Sequence, residues 1–170
     1  MNKVRKIWDV VDEFLEFINS MVRIFCVAAL AGMTLVVLVQ VFTRMIPGIK
    51  APTWTEEMSR YIMIYVAFIG ASNGIRQWNN ISVDFIFTRL PRIPRLIVDV
   101  VIHLTILVFW CLVVYWGYIY FPKVGGRQFS ASMGFPLLYA QMSLIIGGVL
   151  SILQTIGKTV ELLMGGLKDV

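Results

Sequence analysis

The sequence predicts an all-α integral membrane protein with four transmembrane helices and an N-terminal amphipathic interfacial helix. Three observations carry this. Of 170 residues, 58% are hydrophobic, where a soluble domain holds about half. The apolar residues gather into long runs, the first of which (24–43) carries no charge between Arg23 and Arg44. Proline and glycine cluster between the runs, at 47–52, 91–94 and 122–136, as loops between spans require. About four spans of roughly 20 residues with short links fill the chain and leave no room for a second domain.

The elements follow in order. In residues 4–20, Val4, Ile7, Trp8, Val11, Leu15 and Ile18 recur at helical spacing, with Lys3, Lys6, Asp9, Asp12, Glu13 and Glu16 in most other places. That is the pattern of an amphipathic helix lying on a membrane surface, or else of a helix for a partner's groove. The acidic residues before the first apolar run, and the lack of a small-residue cleavage site after it, argue against a cleavable signal. The run 24–43 reaches about 30 Å at about 1.5 Å per residue, one hydrocarbon thickness. Gln40 is its strongly polar side chain and is expected to bond to a neighbouring helix.

The stretch from Pro52 to Tyr61 opens the second span, 58–76. Thr53 suits the N-cap, and Glu56 three residues on would complete a capping box. Glu56 and Glu57 suit the positive end of the helix dipole, and Arg60 has both within reach at i+4 and i+3. A capped, salt-bridged helix end with Trp54 and Tyr61 as interfacial anchors accounts for these residues. The sharper reading is a docking site for another protein. Further along, Ala67, Gly70 and Gly74 are small and share a face, which lets helices approach closely.

Residues 82–90 suit a short interfacial helix, cut by Pro91 and Pro94 from the third span, 96–121. That span contains Asp99 and His103 four residues apart. Ionisable groups in a membrane are functional candidates, here for a proton relay. The plainer reading pairs Asp99 with Arg95 near the surface and leaves His103 neutral and hydrogen-bonded. Trp110, Tyr115, Trp116, Tyr118 and Tyr120 approach the opposite interface as an aromatic belt. The fourth span, 137–156, offers Gly147 and Gly148 for close packing.

The net charge of +5 belongs to loops that set orientation. Ten of the 15 Lys and Arg fall on the side of both termini and five on the other. The positive-inside rule then places both termini in the cytoplasm. No run of basic residues interleaved with aromatics points to nucleic acid. One His and two Cys inside apolar runs supply no metal site, no disulfide and no paired histidines for a haem. No catalytic constellation or phosphate loop is present, so neither an enzyme nor a cofactor is expected.

A family likeness joins these pieces. Trp54-Thr55-Glu56-Glu57-Met58-Ser59-Arg60-Tyr61 resembles the W-x-E-E-x-x-R-[YF] signature of the small (DctQ-type) membrane subunit of tripartite ATP-independent periplasmic (TRAP) transporters. Gln40-Val41-Phe42-Thr43-Arg44 resembles that family's Q-V-x-x-R. Phe68-Ile69-Gly70-Ala71 resembles its F-x-G-A. Ile81-Ser82-Val83-Asp84 resembles its H-I-x-V-D, with Asn80 in place of the histidine, and Met133-Gly134-Phe135-Pro136 resembles its L-G-[IF]-P. The likeness runs from about Arg23 to about Ser151.

The resemblance implies a non-catalytic subunit of the bacterial inner membrane. Its partners would be membrane lipid, a large multi-span subunit of DctM type that moves solute with sodium, and a periplasmic binding protein. The solutes would be organic acids, with sialic acid favoured and C4-dicarboxylates next. On that analogy Arg44, Trp54, Glu56, Glu57 and Arg60 form an outer-face polar cluster for partner contact. Ala67, Gly70 and Gly74 pack helices, and Asp84 anchors the cytoplasmic interfacial helix. The alternative is a stand-alone proton-coupled transporter using Asp99 and His103.

Overall fold

The computed structural model describes residues 2–46, 52–77 and 92–166. The described residues form four helices: α1 (Asn2–Met45), α2 (Trp54–Arg76), α3 (Arg92–Val124) and α4 (Leu138–Gly166). The expected interfacial helix at 82–90, with Asp84, lies outside the described residues.

The amphipathic segment and the first span form one helix rather than two. α1 runs unbroken for 44 residues, about 66 Å at 1.5 Å per residue, twice the thickness of a hydrocarbon layer. The sequence explains the continuity, since no Gly or Pro occurs before Gly32 and nothing stops helix propagation. Pro47 then disfavours helical backbone at Ile46.

α3 begins at Arg92, ahead of the boundary expected at 96, because Pro94 falls in the first turn, where a proline's missing N–H has no partner to lose. It ends at Val124, two residues after Pro122, where Gly125 N–H donates to Phe121 O at 2.8 Å. α4 outlasts the expected span end at 156 by ten residues.

Three of the four helices are long and apolar enough to cross a membrane: Trp8–Met45 of α1, Ile97–Phe121 of α3 and Leu138–Leu162 of α4. α2, with 23 residues, is long enough but less apolar, since Glu56, Glu57, Arg60, Ser72 and Asn73 interrupt it. Its position explains why this is tolerated. α2 packs between α1 and α4, and α3 packs on the far side of α4. Flanked on two sides by protein, α2 presents less surface to lipid than α1 or α3.

Small residues set how closely the central pair approach. A Cβ on Gly147 would stand 2.5 Å from the carbonyl carbon of Phe68 and 2.9 Å from its Cβ. Only glycine admits that approach. Ser143, Ser151, Gln154 and Thr155 continue the buried stripe of α4, and Ile69, Ser72 and Ile75 answer it on α2. On the other side of α4, a Cβ on Gly148 would meet Val114 Cγ2 of α3 at 2.6 Å.

Gly147→Val is therefore expected to lower the thermal unfolding midpoint of the detergent-purified chain, by the equivalent of about 1–3 kcal/mol for an overpacked core. Gly74→Ala is expected not to lower it, because a Cβ there meets nothing within 4 Å and alanine favours helix over glycine.

Candidate functional site

The candidate site begins at the first turn of α2. Thr53 holds the N-cap position, but its backbone is helical (φ −68°, ψ −24°) and its side chain makes no capping bond. A capping residue needs extended backbone to turn its oxygen toward the helix. The expected capping box is absent for that reason. Glu56 instead accepts from Arg60 Nη2 at 2.6 Å, an exposed pair of the kind that adds little stability. The hydroxyl of Thr55 turns back to donate to Pro52 O at 2.7 Å and is fully buried.

Glu57 does not join Arg60. Its carboxylate crosses to the loop between α3 and α4, where it accepts from the Ser130 hydroxyl and from the Ser132 N–H, 3.3 Å from each oxygen. The loop is a small hairpin. Phe129 pairs with Pro136, Ser130 N–H donates to Phe135 O at 2.8 Å, and Leu137 N–H donates to Gln128 O at 2.9 Å. Gly134 turns the chain at φ +68°, a backbone that favours glycine. Ser130 also accepts from Met133 N–H at 3.0 Å. Serine, glycine and a tight turn thus present a hydroxyl and successive N–H groups to one acid, a concave anion-holding arrangement.

These donors hold the Glu57 carboxyl below its ordinary value. The Ser130 hydroxyl is the largest cause, and the N–H groups of Ser132, Met133 and Ala131 add to it against a desolvation that pushes the other way. Hydrogen bonds to a carboxylate favour its charged form.

Around this pin the surface is aromatic. Trp54, Phe129, Phe135 and Tyr139 are exposed, and Tyr65 of α2 donates its hydroxyl to Tyr139 O at 2.7 Å. Arg44, in the last turn of α1, is exposed, and no ion pair among the described residues includes it. Of the small residues on α2, Gly70 lies in ordinary contact with Cys26 Sγ of α1, 3.5 Å from a built Cβ. Ala67 and Gly74 are exposed. In α3, His103 is 2% exposed, and its Nδ1 lies 2.7 Å from the backbone carbonyl of Asp99. Both cysteines are free thiols, and no group of three metal-ligating side chains occurs among the described residues.

A second polar cluster stands at the opposite end of the bundle, and sequence reasoning missed it. Arg76, the last residue of α2, has a side chain only 9% exposed. Its Nη2 meets Asp12 at 2.5 Å and its Nε meets Glu16 at 3.2 Å. Gln154 Nε2 of α4 donates to Leu15 O of α1 at 3.1 Å. The available signal was the pair Asp12 and Glu16, one turn apart on α1. Sequence spacing alone does not say which helix supplies the cation.

A family model for the DctQ component of tripartite ATP-independent periplasmic transporters matches residues 33–165. This chain belongs to that family. It is a small permease subunit of a TRAP transporter, a multi-pass integral membrane protein of a bacterial system, and non-catalytic. It is similar to a putative TRAP transporter small permease protein of Haemophilus influenzae, 29% identical over 136 residues that cover 79% of this chain and 82% of the relative. It is also similar to the sialic acid TRAP transporter small permease protein SiaQ of Vibrio cholerae, 23% identical over 87% of this chain and 84% of the relative. A third similarity is to the isethionate TRAP transporter permease protein DctMQ of Oleidesulfovibrio alaskensis, 35% identical over 85 residues, 45% of this chain and 13% of that protein.

The matched region of this DctQ component contains Glu57, the Ser130 loop and Arg76, but not Asp12 and Glu16. The Glu57 pin has a defined pH dependence. A carboxylate whose value is lowered in the folded state stabilises above its ordinary value, 4.5 for Glu57, and loses that contribution as pH falls through the lowered one. At pH 7 the loop is expected to resist limited proteolysis, and Glu57→Ala should speed its cleavage. In the unaltered site, protease sensitivity of the loop should rise only below pH 4.5.

Proposed function

We propose that this DctQ component scaffolds the large multi-span subunit of a sodium-coupled TRAP transporter and helps dock the periplasmic binding protein, so supporting uptake of an organic acid. The observation that carries the reading is the family match over residues 33–165. A non-catalytic small permease subunit works by contact. The relative named DctMQ supports the partner: the matched segment is 13% of that protein, so there it shares one polypeptide with a much larger permease.

In this reading α2 also crosses the membrane, providing the second span, 58–76, within a helix whose 23 residues reach about 35 Å. Both termini are cytoplasmic, and the chain sits in the inner membrane. Arg44, Trp54, Glu56, Glu57 and Arg60 then stand on the outer face beside the Ser130 loop, where a binding protein arrives. Ala67 and Gly74, open in the isolated chain, supply with Gly70 a face for close helix packing. Asp84 anchors the cytoplasmic connection. Sialic acid is the favoured solute and C4-dicarboxylates come next. The Vibrio cholerae relative is named for sialic acid and the Oleidesulfovibrio relative for isethionate, both organic acids.

Mild-detergent purification of the tagged chain from its native cells, with mass spectrometry of the co-purifying proteins, tests this. A much larger polytopic protein in equal amount is expected; the chain alone would overturn the reading. Charge reversal at Glu57 or Arg60 is expected to lower complex recovery or solute uptake several-fold, whereas Asp99→Asn should leave uptake intact. Transport by the chain alone, dependent on Asp99, would instead establish an independent carrier.

A further inference from the structure

We propose that the junction of α1, α2 and α4 holds a bound water that bridges the Arg76 guanidinium to Asn19, Ser151 and Gln154. Gln154 fixes the geometry. Its Nε2 donates to Leu15 O at 3.1 Å, which turns Oε1 the other way. That oxygen is buried and has no hydrogen-bond partner among the described residues. Leu15 also meets Gly157, where a Cβ would stand 2.5 Å from Leu15 Cδ1 and 3.7 Å from Arg76 Nη1. The three helices therefore converge at the Arg76 head group.

Arg76 gives Nη2 to Asp12 and Nε to Glu16. Its Nη1 is buried with no partner among the described residues. Asn19 lies one turn beyond Leu15 on the same face of α1, 3% exposed, and Ser151 lies one turn before Thr155 on α4, fully buried. Asn19 Oδ1 and Ser151 Oγ likewise have no partner among the described residues. α1 and α4 are antiparallel neighbours here, so stepping forward from Leu15 and backward from Gln154 leads to the same level. From Gly157 back to Ser151, about 9 Å along α4, the junction thus gathers a charged N–H donor, two amide oxygens and a hydroxyl.

The mixture selects the ligand. A metal cation would face the guanidinium and leave its N–H unused. An anion would face two amide oxygens. Water donates twice and accepts twice, and it needs two to four polar partners in a buried site. It can accept from Arg76 and from the Ser151 hydroxyl and donate to Asn19 Oδ1 and Gln154 Oε1.

An electron cryo-microscopy map of the full chain, in the complex with which it purifies, tests the site at a resolution that shows ordered waters. The expected result is a peak at hydrogen-bond distance, about 2.7–3.2 Å, from Gln154 Oε1 and Arg76 Nη1. Well-ordered side chains with no peak would overturn the proposal. So would a peak that gains density when rubidium replaces sodium and potassium, which marks a cation.

Thermal midpoints of Asn19→Leu, Ser151→Ala and the double variant give a second test. A shared water makes the double loss smaller than the sum of the single losses. Additive losses, or a gain on Asn19→Leu, would count against it. The map needs no variant and decides the question should one fail to fold.

Discussion

The close approach of α2 to α4 at Gly147 is the constraint on which the other contacts depend. A side chain there would have to occupy the space of the Phe68 backbone. Within a membrane, helices gain little from apolar burial alone, and close van der Waals packing supplies much of what holds them together. α4 provides that packing on both sides, to α2 through Gly147 and to α3 through Gly148. The result is a row of helices in the order α1, α2, α4, α3, with α1 and α3 at its edges. Large apolar side chains such as Leu35, Phe42, Phe109 and Leu112 remain exposed there, as a lipid-facing or partner-facing surface requires.

α2 is the least apolar helix of the row, and polar contacts at both ends hold it. At one end Glu57 grips the hairpin between α3 and α4 through Ser130 and Ser132. At the other end Arg76 draws Asp12 and Glu16 of α1 onto the bundle. The two grips differ in kind. The Glu57 contact is charge-to-dipole and spreads one carboxylate over several donors. The Arg76 contact is charge-to-charge around a guanidinium that the bundle has largely removed from water. Removing both acids would strand a guanidinium whose side chain is 9% exposed, whereas Asp12 and Glu16 themselves keep access to water. α2 is thus tied at both ends, to the α3–α4 hairpin by Glu57 and to α1 by Arg76.

Much of the fold was legible because apolar run length and loop residues are local signals. Residues 24–43 read as a span, and the structure holds them in helix; the Gly and Pro of 122–136 marked the α3–α4 connection. Gly147 and Gly148 stood out as small residues within an apolar run. The stretch from Trp54 to Arg60 was visible as a site, but its wiring was not. Spacing of three and four residues placed Glu56, Glu57 and Arg60 together, and only one of the two carboxylates uses Arg60. The other answers donors 73 and 75 residues away, a relation that helical periodicity does not encode.

By itself the sequence determined a helical membrane protein and a resemblance to the DctQ component that its membership of the family bears out. Composition and runs suffice for that, because a bilayer accepts little besides helices with internally satisfied backbones. Tertiary structure decided what depends on neighbours. It joined the amphipathic segment and the first span into one 44-residue helix and seated that segment on Arg76. It turned Glu57 away from Arg60 and placed the closest approach of a glycine to another helix's backbone, among the described residues, on α4 rather than α2. Each of these outcomes follows from which helix lies beside which, and helix adjacency is a property of packed surfaces rather than of any single stretch of chain.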